Sequence, residues 1–253
     1  MHIKMIVADL DNTLLRNDKT IGDYTVDVLK RVRERGVLLA FATARDFRFV
    51  TEHISPMSGI VPDVLIADNG ALARYAGKDL YRRLIPVETV NALMPHFELV
   101  RCISTEKAYY LSGDYSNDHW SIGKKETVLT DFSDVFSEDA LYIDGNVGDI
   151  QDFKLTYPGI RAVIYSDVSL VTVVHNEATK YNALIAVREA LNIDANEIVV
   201  FGDDYSDIEI LANHKYSVAV ANAIDECKTV AGYTCGSSDE DGVAYWIEEN
   251  LLK

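Results

Sequence analysis

Four short apolar runs, each stopped at its C-terminal end by small polar or acidic residues, constrain this chain more than any other feature. Residues 3–8 stop at Asp9, residues 37–42 at Thr43, residues 64–67 at Asp68-Asn69-Gly70, and residues 198–201 at Gly202-Asp203-Asp204. Between them lie stretches of helical period. One has Val26, Val28, Leu29 and Val32 on its apolar side, with Thr20 and Asp23 as a capping box ahead of it and Gly36 as its stop. Others cover residues 47–54 and 180–191. Strands alternating with amphipathic helices predict an α/β fold, a Rossmann-like parallel-sheet core with helices on both faces. In such sheets the ligand site forms at the carboxyl edge of the strands, where residues distant in sequence converge.

The middle of the chain has a different pattern. Between residues 87 and 175, β-like segments at 107–111, 141–144, 160–165 and 170–174 mix with helical stretches at 87–97 and 148–157, and the region is rich in Tyr, Asp and Ser. This predicts an inserted α+β domain at 86–175, with the core formed by 1–85 and 176–253 and hinges near Ile85-Pro86 and His175-Asn176.

The strand ends carry the chemistry. Asp9 and Asp11 are two apart, so in extended backbone both carboxylates face one spot while Leu10 faces the other way. Like charges held that close call for a hard cation with oxygen ligands such as Mg2+. Taken alone, the pair also fits a turn or a helix cap. Thr43 offers a hydroxyl, and the backbone N–H groups of Ala44 and Arg45, if they enter a helix, would bind an anion; a plain N-cap is the alternative. Lys180 opens a predicted helix, where the dipole disfavours a cation, so an anion nearby or a solvated surface position would account for it. Asp203, Asp204 and Asp207 put three acids in five positions. Capping explains one of them; metal ligation explains that density better.

Composition excludes several classes. Forty acidic against twenty-four basic residues give a net charge of -16, which argues against nucleic acid or an anionic membrane as partner. No window approaches the roughly 18 apolar residues of a membrane span, and the cytoplasm is the expected location. The three cysteines lack disulfide or zinc spacing and read as core fillers. The six histidines form no His-x-x-x-His pair, and Gly-x-Ser-x-Gly, Walker and Gly-x-Gly-x-x-Gly signatures are missing. The aromatic stretch from Tyr109 to Trp120 reads as core of the insertion, with a substrate wall as the lesser alternative.

In order, Asp9-x-Asp11-x-Thr13, Thr43, Lys180 and Gly202-Asp203-Asp204-x-x-Asp207 resemble the four motifs of the haloacid dehalogenase (HAD) superfamily of phosphatases. Residues 66–71, 218–223 and 239–244 resemble the Cof-type branch, whose cap is inserted between the second and third motifs. The resemblance implies a Mg2+-dependent hydrolysis of phosphate monoesters of small metabolites, such as sugar phosphates, through an aspartyl-phosphate. In it Asp9 is the nucleophile and Asp11 the acid and base. The metal is held by Asp9, the backbone carbonyl of Asp11 and Asp203, with Asp207 or Asp204 behind them. Thr43, Ala44, Arg45, Asn69, Lys180 and Ser206 are the phosphate- and substrate-binding candidates. The chain departs from the pattern at Ser206, where many members have Asn, at Ala44 for Gly, and at Tyr181 for Gly, the last expected to alter access. A phosphotransferase or phosphomutase of the same superfamily, or a non-catalytic phosphate- or Mg2+-binding protein, are the alternatives. The expected partner is a small phosphorylated metabolite, with the protein a monomer or small homo-oligomer.

Overall fold

A computed structural model of the chain describes residues 2–113, 126–146, 157–164 and 170–253. Of the predicted helix at 148–157 only Tyr157 is among the described residues, and the part of the aromatic stretch from Asp114 to Trp120 lies outside them.

The chain runs β1 (Met5–Ala8), α1 (Asp23–Glu34), β2 (Leu38–Ala42), α2 (Phe47–Phe49), a π turn Val50–Ile54, α3 (Ser55–Ser58), β3 (Val64–Ala67), β4 (Leu72–Tyr75), β5 (Lys78–Arg82) and α4 (Val87–Leu93). It continues through β6 (Leu99–Ser104), β7 (Tyr109–Ser112), β8 (Thr127–Thr130), β9 (Tyr142–Asn146), β10 (Ile160–Ile164) and β11 (Val171–His175). It closes with α5 (Lys180–Leu191), β12 (Ile198–Gly202), α6 (Ile208–Ala212), β13 (Tyr216–Ala219), α7 (Asp225–Val230), β14 (Tyr233–Thr234) and α8 (Gly242–Ile247).

Two sheets result. The larger has the order β14-β13-β12-β1-β2-β3-β4-β5 and the smaller β10-β11-β9-β6-β7-β8. From β14 to β3 the large sheet is parallel. Every residue of β1, β3 and β12 is buried, as expected for strands covered on both faces. Helices α1 and α8 pack together, with the Tyr24 and Tyr245 rings 4.7 Å apart and Trp246 of α8 edge-on to Phe201 of β12. Helix α5 packs on the β3–β5 end beside α6. The sheet is not wholly parallel: Asp68-Asn69-Gly70 turns the chain so that β4 runs back along β3 and β5 along β4. The turn accounts for the reversal, since Asp68, Asn69 and Gly70 all have positive φ, 55°, 57° and 84°. Gly70 is obligatory there, because a Cβ would overlap the backbone of Thr179.

The small sheet has its own apolar cluster around Ile103, Ile143 and Val173, and its other face shares a cluster with Leu72 and Ala178 of the large-sheet part. Helix α1 does not use the expected capping box: Thr20 donates to Asp18, and Gly22 is the N-cap without a side-chain bond. Among the described residues no helix is long and apolar enough to cross a membrane. Cys102 and Cys227 are buried and Cys235 half-buried, and the three form no disulfide with one another.

Candidate active site

Strand order reverses at β1: the chain moves outward to β2 and β3 on one side and to β12, β13 and β14 on the other. Register then fixes what meets at the carboxyl edge. Ala8 lies level with Phe41 and Phe201, so Asp9, Thr43 and Asp203 leave three adjacent strands within a step or two of each other. Asp9 prolongs the ladder, its N–H donating to the Phe201 carbonyl at 3.0 Å. Leu10 is fully buried, as the alternation requires, and its carbonyl caps the turn by accepting from the N–H groups of Leu14 and Leu15.

Lys180 is the hub. It is 2% exposed, so the solvated-surface alternative falls, and its Nζ donates to Asp9 Oδ1 at 2.8 Å and to Asp207 Oδ1 at 2.7 Å. These two carboxylates are the anions that settle a cation into the first turn of α5. Burial alone would lower the Lys180 pKa; Asp207 and Asp9 outweigh it and hold the ammonium above the usual lysine value. Asp207 spends its other oxygen on the N–H groups of Asp203 at 3.1 Å and Asp204 at 3.3 Å. Asp204 and Asp207 form the two halves of a capping box on the turn Tyr205–Asp207, so capping involves two of the three acids and not the one expected. Asp203 accepts from the Thr13 hydroxyl at 2.6 Å.

Carboxylate oxygens of Asp9, Asp203 and Asp207 lie within 4.8 Å of one another. Burial, reinforced by neighbouring carboxylates and only partly offset by Lys180, lifts Asp9 to about 7. Burial, with Asp9 and Asp207 alongside, lifts Asp203 to about 9. A desolvated all-oxygen cluster with more negative charge than one lysine balances fits a hard divalent cation.

Asp11 is held differently from the expectation that it shares a cation with Asp9. Its carboxylate takes a two-point clamp from the Arg45 guanidinium, Nε to Oδ2 at 2.5 Å and Nη2 to Oδ1 at 2.6 Å, and a third bond from Lys19 Nζ at 3.0 Å. Burial would raise its pKa, but these cations win and lower it. Arg45 is itself buried, its guanidinium 3.9 Å above the Phe49 ring.

The segment after Thr43 also differs. The helix starts at Phe47, not at Ala44, and its N-cap is Asp46, which accepts from the Arg48 N–H. Thr43 is therefore no helix cap; its hydroxyl oxygen accepts from the Arg45 N–H at 3.1 Å, directing a tight turn. Asn69 is buried beside it, with its Nδ2 3.5 Å from the Ala44 carbonyl.

A cleft of about 880 Å³, mouth included, joins these groups: Asp9, Asp11, Thr43, Ala44, Arg45, Asn69, Lys180, Asp203 and Ser206 line it, while Asp207 lies behind Lys180. Tyr181 does not line it and packs edge-on to His214. The small sheet supplies the opposite wall, with Arg101, Tyr109, Tyr142, Asp144 and Thr172. Apart from Tyr109, none of these was visible as a candidate in the sequence, because isolated polar residues in β-like segments carry no spacing signal. Lys19, in a turn, and Arg48, in α2, were missed because no motif or period singles out a lone cation. Arg48 ties the two parts together: it pairs with Asp46 at 3.2 Å and donates to the carbonyls of Thr105 at 3.0 Å and Glu106 at 2.9 Å.

A 5-amino-6-(5-phospho-D-ribitylamino)uracil phosphatase of Bacillus subtilis (strain 168) is 25% identical over 271 residues, covering 97% of this chain and 96% of that one. A phosphatase of the same name from Escherichia coli (strain K12) is 21% identical over 272 residues, covering 99% and 97%. Among solved structures, a HAD/COF-like hydrolase from Plasmodium vivax superposes with TM-score 0.85 at 21% identity, covering 100% of this chain and 97% of that one. The HAD subclass IIB sugar phosphatase BT4131 does so with TM-score 0.79 at 20% identity, covering 97% and 98%. These structures share the fold. The family model for haloacid dehalogenase-like hydrolases matches residues 6–247, from within β1 to the end of α8, and the chain belongs to that family.

Proposed function

We propose that this hydrolase cleaves phosphate monoesters of small metabolites, sugar phosphates among them, by transferring the phosphoryl group to Asp9 and then to water. The observation that carries this reading is the convergence of Asp9, Lys180 and Asp203 from three separate segments into one buried cluster at the mouth of β1. The names of the Bacillus subtilis and Escherichia coli relatives support it.

Asp9 attacks phosphorus, the bond from phosphorus to the ester oxygen breaks, and the leaving alcohol takes a proton from Asp11. Water then attacks the acyl phosphate, giving its proton to Asp11 and restoring Asp9. The clamp of Arg45 and Lys19 holds Asp11 ionised, the state it needs as base. To act as acid it first takes a proton from solvent as Arg45 turns from the carboxylate to the phosphoryl oxygens. Lys180, Thr43 and the Ser206 hydroxyl hold those oxygens from the other sides. Asp9 and Asp203, with the Asp11 backbone carbonyl, would hold Mg2+, which when bound supplies positive charge opposite the phosphoryl group. Residues 86–175 act as a cap that closes over the leaving group, on a core of 1–85 and 176–253. Release of phosphate from a panel of phosphorylated metabolites, with Mg2+ and with chelator, tests the reading. Mg2+-dependent release from sugar phosphates is expected, and transfer to an added alcohol instead of water would point to a phosphotransferase. No release from any monoester would refute it.

A further inference from the structure

The wall of the cleft facing the phosphoryl end contains one residue placed there by an irregularity. Along the β6–β9 ladder Val100 faces Gly145 and Cys102 faces Asp144, so Arg101 is an extra residue, the mark of a β-bulge. Strict alternation would send residue 101 to the face opposite Cys102. Cys102 packs with Tyr109 and Tyr142 on the cleft side, and the bulge brings Arg101 to that side as well. Gly145 permits it: a Cβ there would lie 2.6 Å from the Leu99 carbonyl oxygen.

Arg101 is 6% exposed, and its Nη1 lies 3.8 Å from Asp144 Oδ2. The other oxygen of Asp144 accepts from the Thr172 hydroxyl across the β9–β11 ladder, which fixes the carboxylate. The wall thus offers a guanidinium fork and a carboxylate side by side, with no net charge, between two tyrosines. The described lining of the cleft carries six carboxylates against three cations, Lys19 on Asp11 and Arg48 on Asp46 add two more, and with a divalent cation and the dianionic phosphoryl group in place the cleft stays net negative. A second anionic group on the leaving group would meet Asp144 and that field. Neighbouring hydroxyls meet a donor and an acceptor at once.

We propose that Arg101 and Asp144 form the leaving-group subsite, gripping adjacent hydroxyls of a neutral sugar or polyol and rejecting leaving groups that carry a further phosphate or carboxylate. This rests on the phosphatase reading of the same cleft.

The test compares kcat/KM of the full chain with Mg2+ on glucose 6-phosphate, fructose 1,6-bisphosphate and p-nitrophenyl phosphate. The monophosphate sugar should exceed the bisphosphate at least roughly tenfold. Arg101→Met and Asp144→Asn should each lower the ratio of glucose 6-phosphate to p-nitrophenyl phosphate by about 10- to 100-fold, the scale of one lost charge-assisted hydrogen bond. Thr172→Val, which only frees Asp144, should lower it in the same direction and carries the test if the charge variants do not fold. A second readout is calorimetric binding of glucose 6-phosphate in an Asp9→Asn background, which Arg101→Met should weaken by a similar factor. Preference for the bisphosphate, a greater effect of Arg101→Met on the bisphosphate than on glucose 6-phosphate, or an unchanged ratio in all variants would overturn the subsite while p-nitrophenyl phosphate is still cleaved. Failure to cleave any of the three would instead count against the phosphatase reading.

Discussion

Lys180 sits where two buried carboxylates would otherwise face each other without a counter-charge, so its removal should be felt in stability as well as rate. In metal-free protein, Lys180→Met should lower the unfolding free energy in urea by about 3–5 kcal/mol, the usual result of orphaning a buried charge. Added Mg2+ should recover part of that loss, because it can neutralise the same carboxylates; unchanged stability and unchanged kinetics would remove Lys180 from its central place. At Asp11 the prediction concerns proton transfer. Asp11→Asn should cost about 10²- to 10⁴-fold in kcat/KM, which reports ester cleavage and not the later hydrolysis of the acyl phosphate, on an alkyl phosphate, and much less on p-nitrophenyl phosphate, whose leaving group needs no proton. Equal losses on both would contradict its role as the acid. The residues that made this site legible in the sequence were those at strand ends, because register alone carries Asp9, Thr43 and Asp203 to one edge. The partners of Asp11 were not legible: Arg45 and Lys19 reach it through side-chain length and a turn, and no periodicity encodes that.

Among the elements, the turn Asp68-Asn69-Gly70 does two jobs. It reverses the chain into the β4–β5 hairpin, and it packs against the start of α5, where Lys180 sits. Gly70→Ala should therefore do more than add the roughly 1–2 kcal/mol of a left-handed residue with a Cβ. The overlap with Thr179 should displace α5 and lower kcat with a smaller change in KM, measured beside the melting temperature. A variant with a lower melting temperature but normal kcat would confine the turn to a structural role. The parallel strands and α5 were readable because burial on both faces, or a helical apolar stripe, leaves a strong pattern over several residues. The hairpin was not, since β5 is largely exposed and has little alternation to read. The bulge at Arg101 escaped for a related reason: it is a one-residue shift between two strands, visible only once they are paired.

At the scale of the whole molecule, charge links folding to the metal. Burial lifts the Asp9 and Asp203 carboxyls to about 7 and about 9, well above the usual carboxylate value of about 4. Their contribution to stability is therefore full below about pH 4 and is lost as pH rises through those values. Metal-free protein should lose stability from about pH 4 to about pH 9 on their account, and Mg2+, which binds the ionised forms, should raise the melting temperature more at about pH 9 than at about pH 6. An equal Mg2+ effect at both would argue against these acids as the ligands. The central claim is that Asp9 carries the phosphoryl group. It is tested most directly by acid-quenching the enzyme during turnover and weighing the peptide that contains Asp9. An added mass of one phosphoryl group is expected on that peptide, removed by hydroxylamine and missing in Asp9→Asn; turnover by Asp9→Asn at the wild-type rate, with no adduct on either protein, would contradict a phosphorylated Asp9.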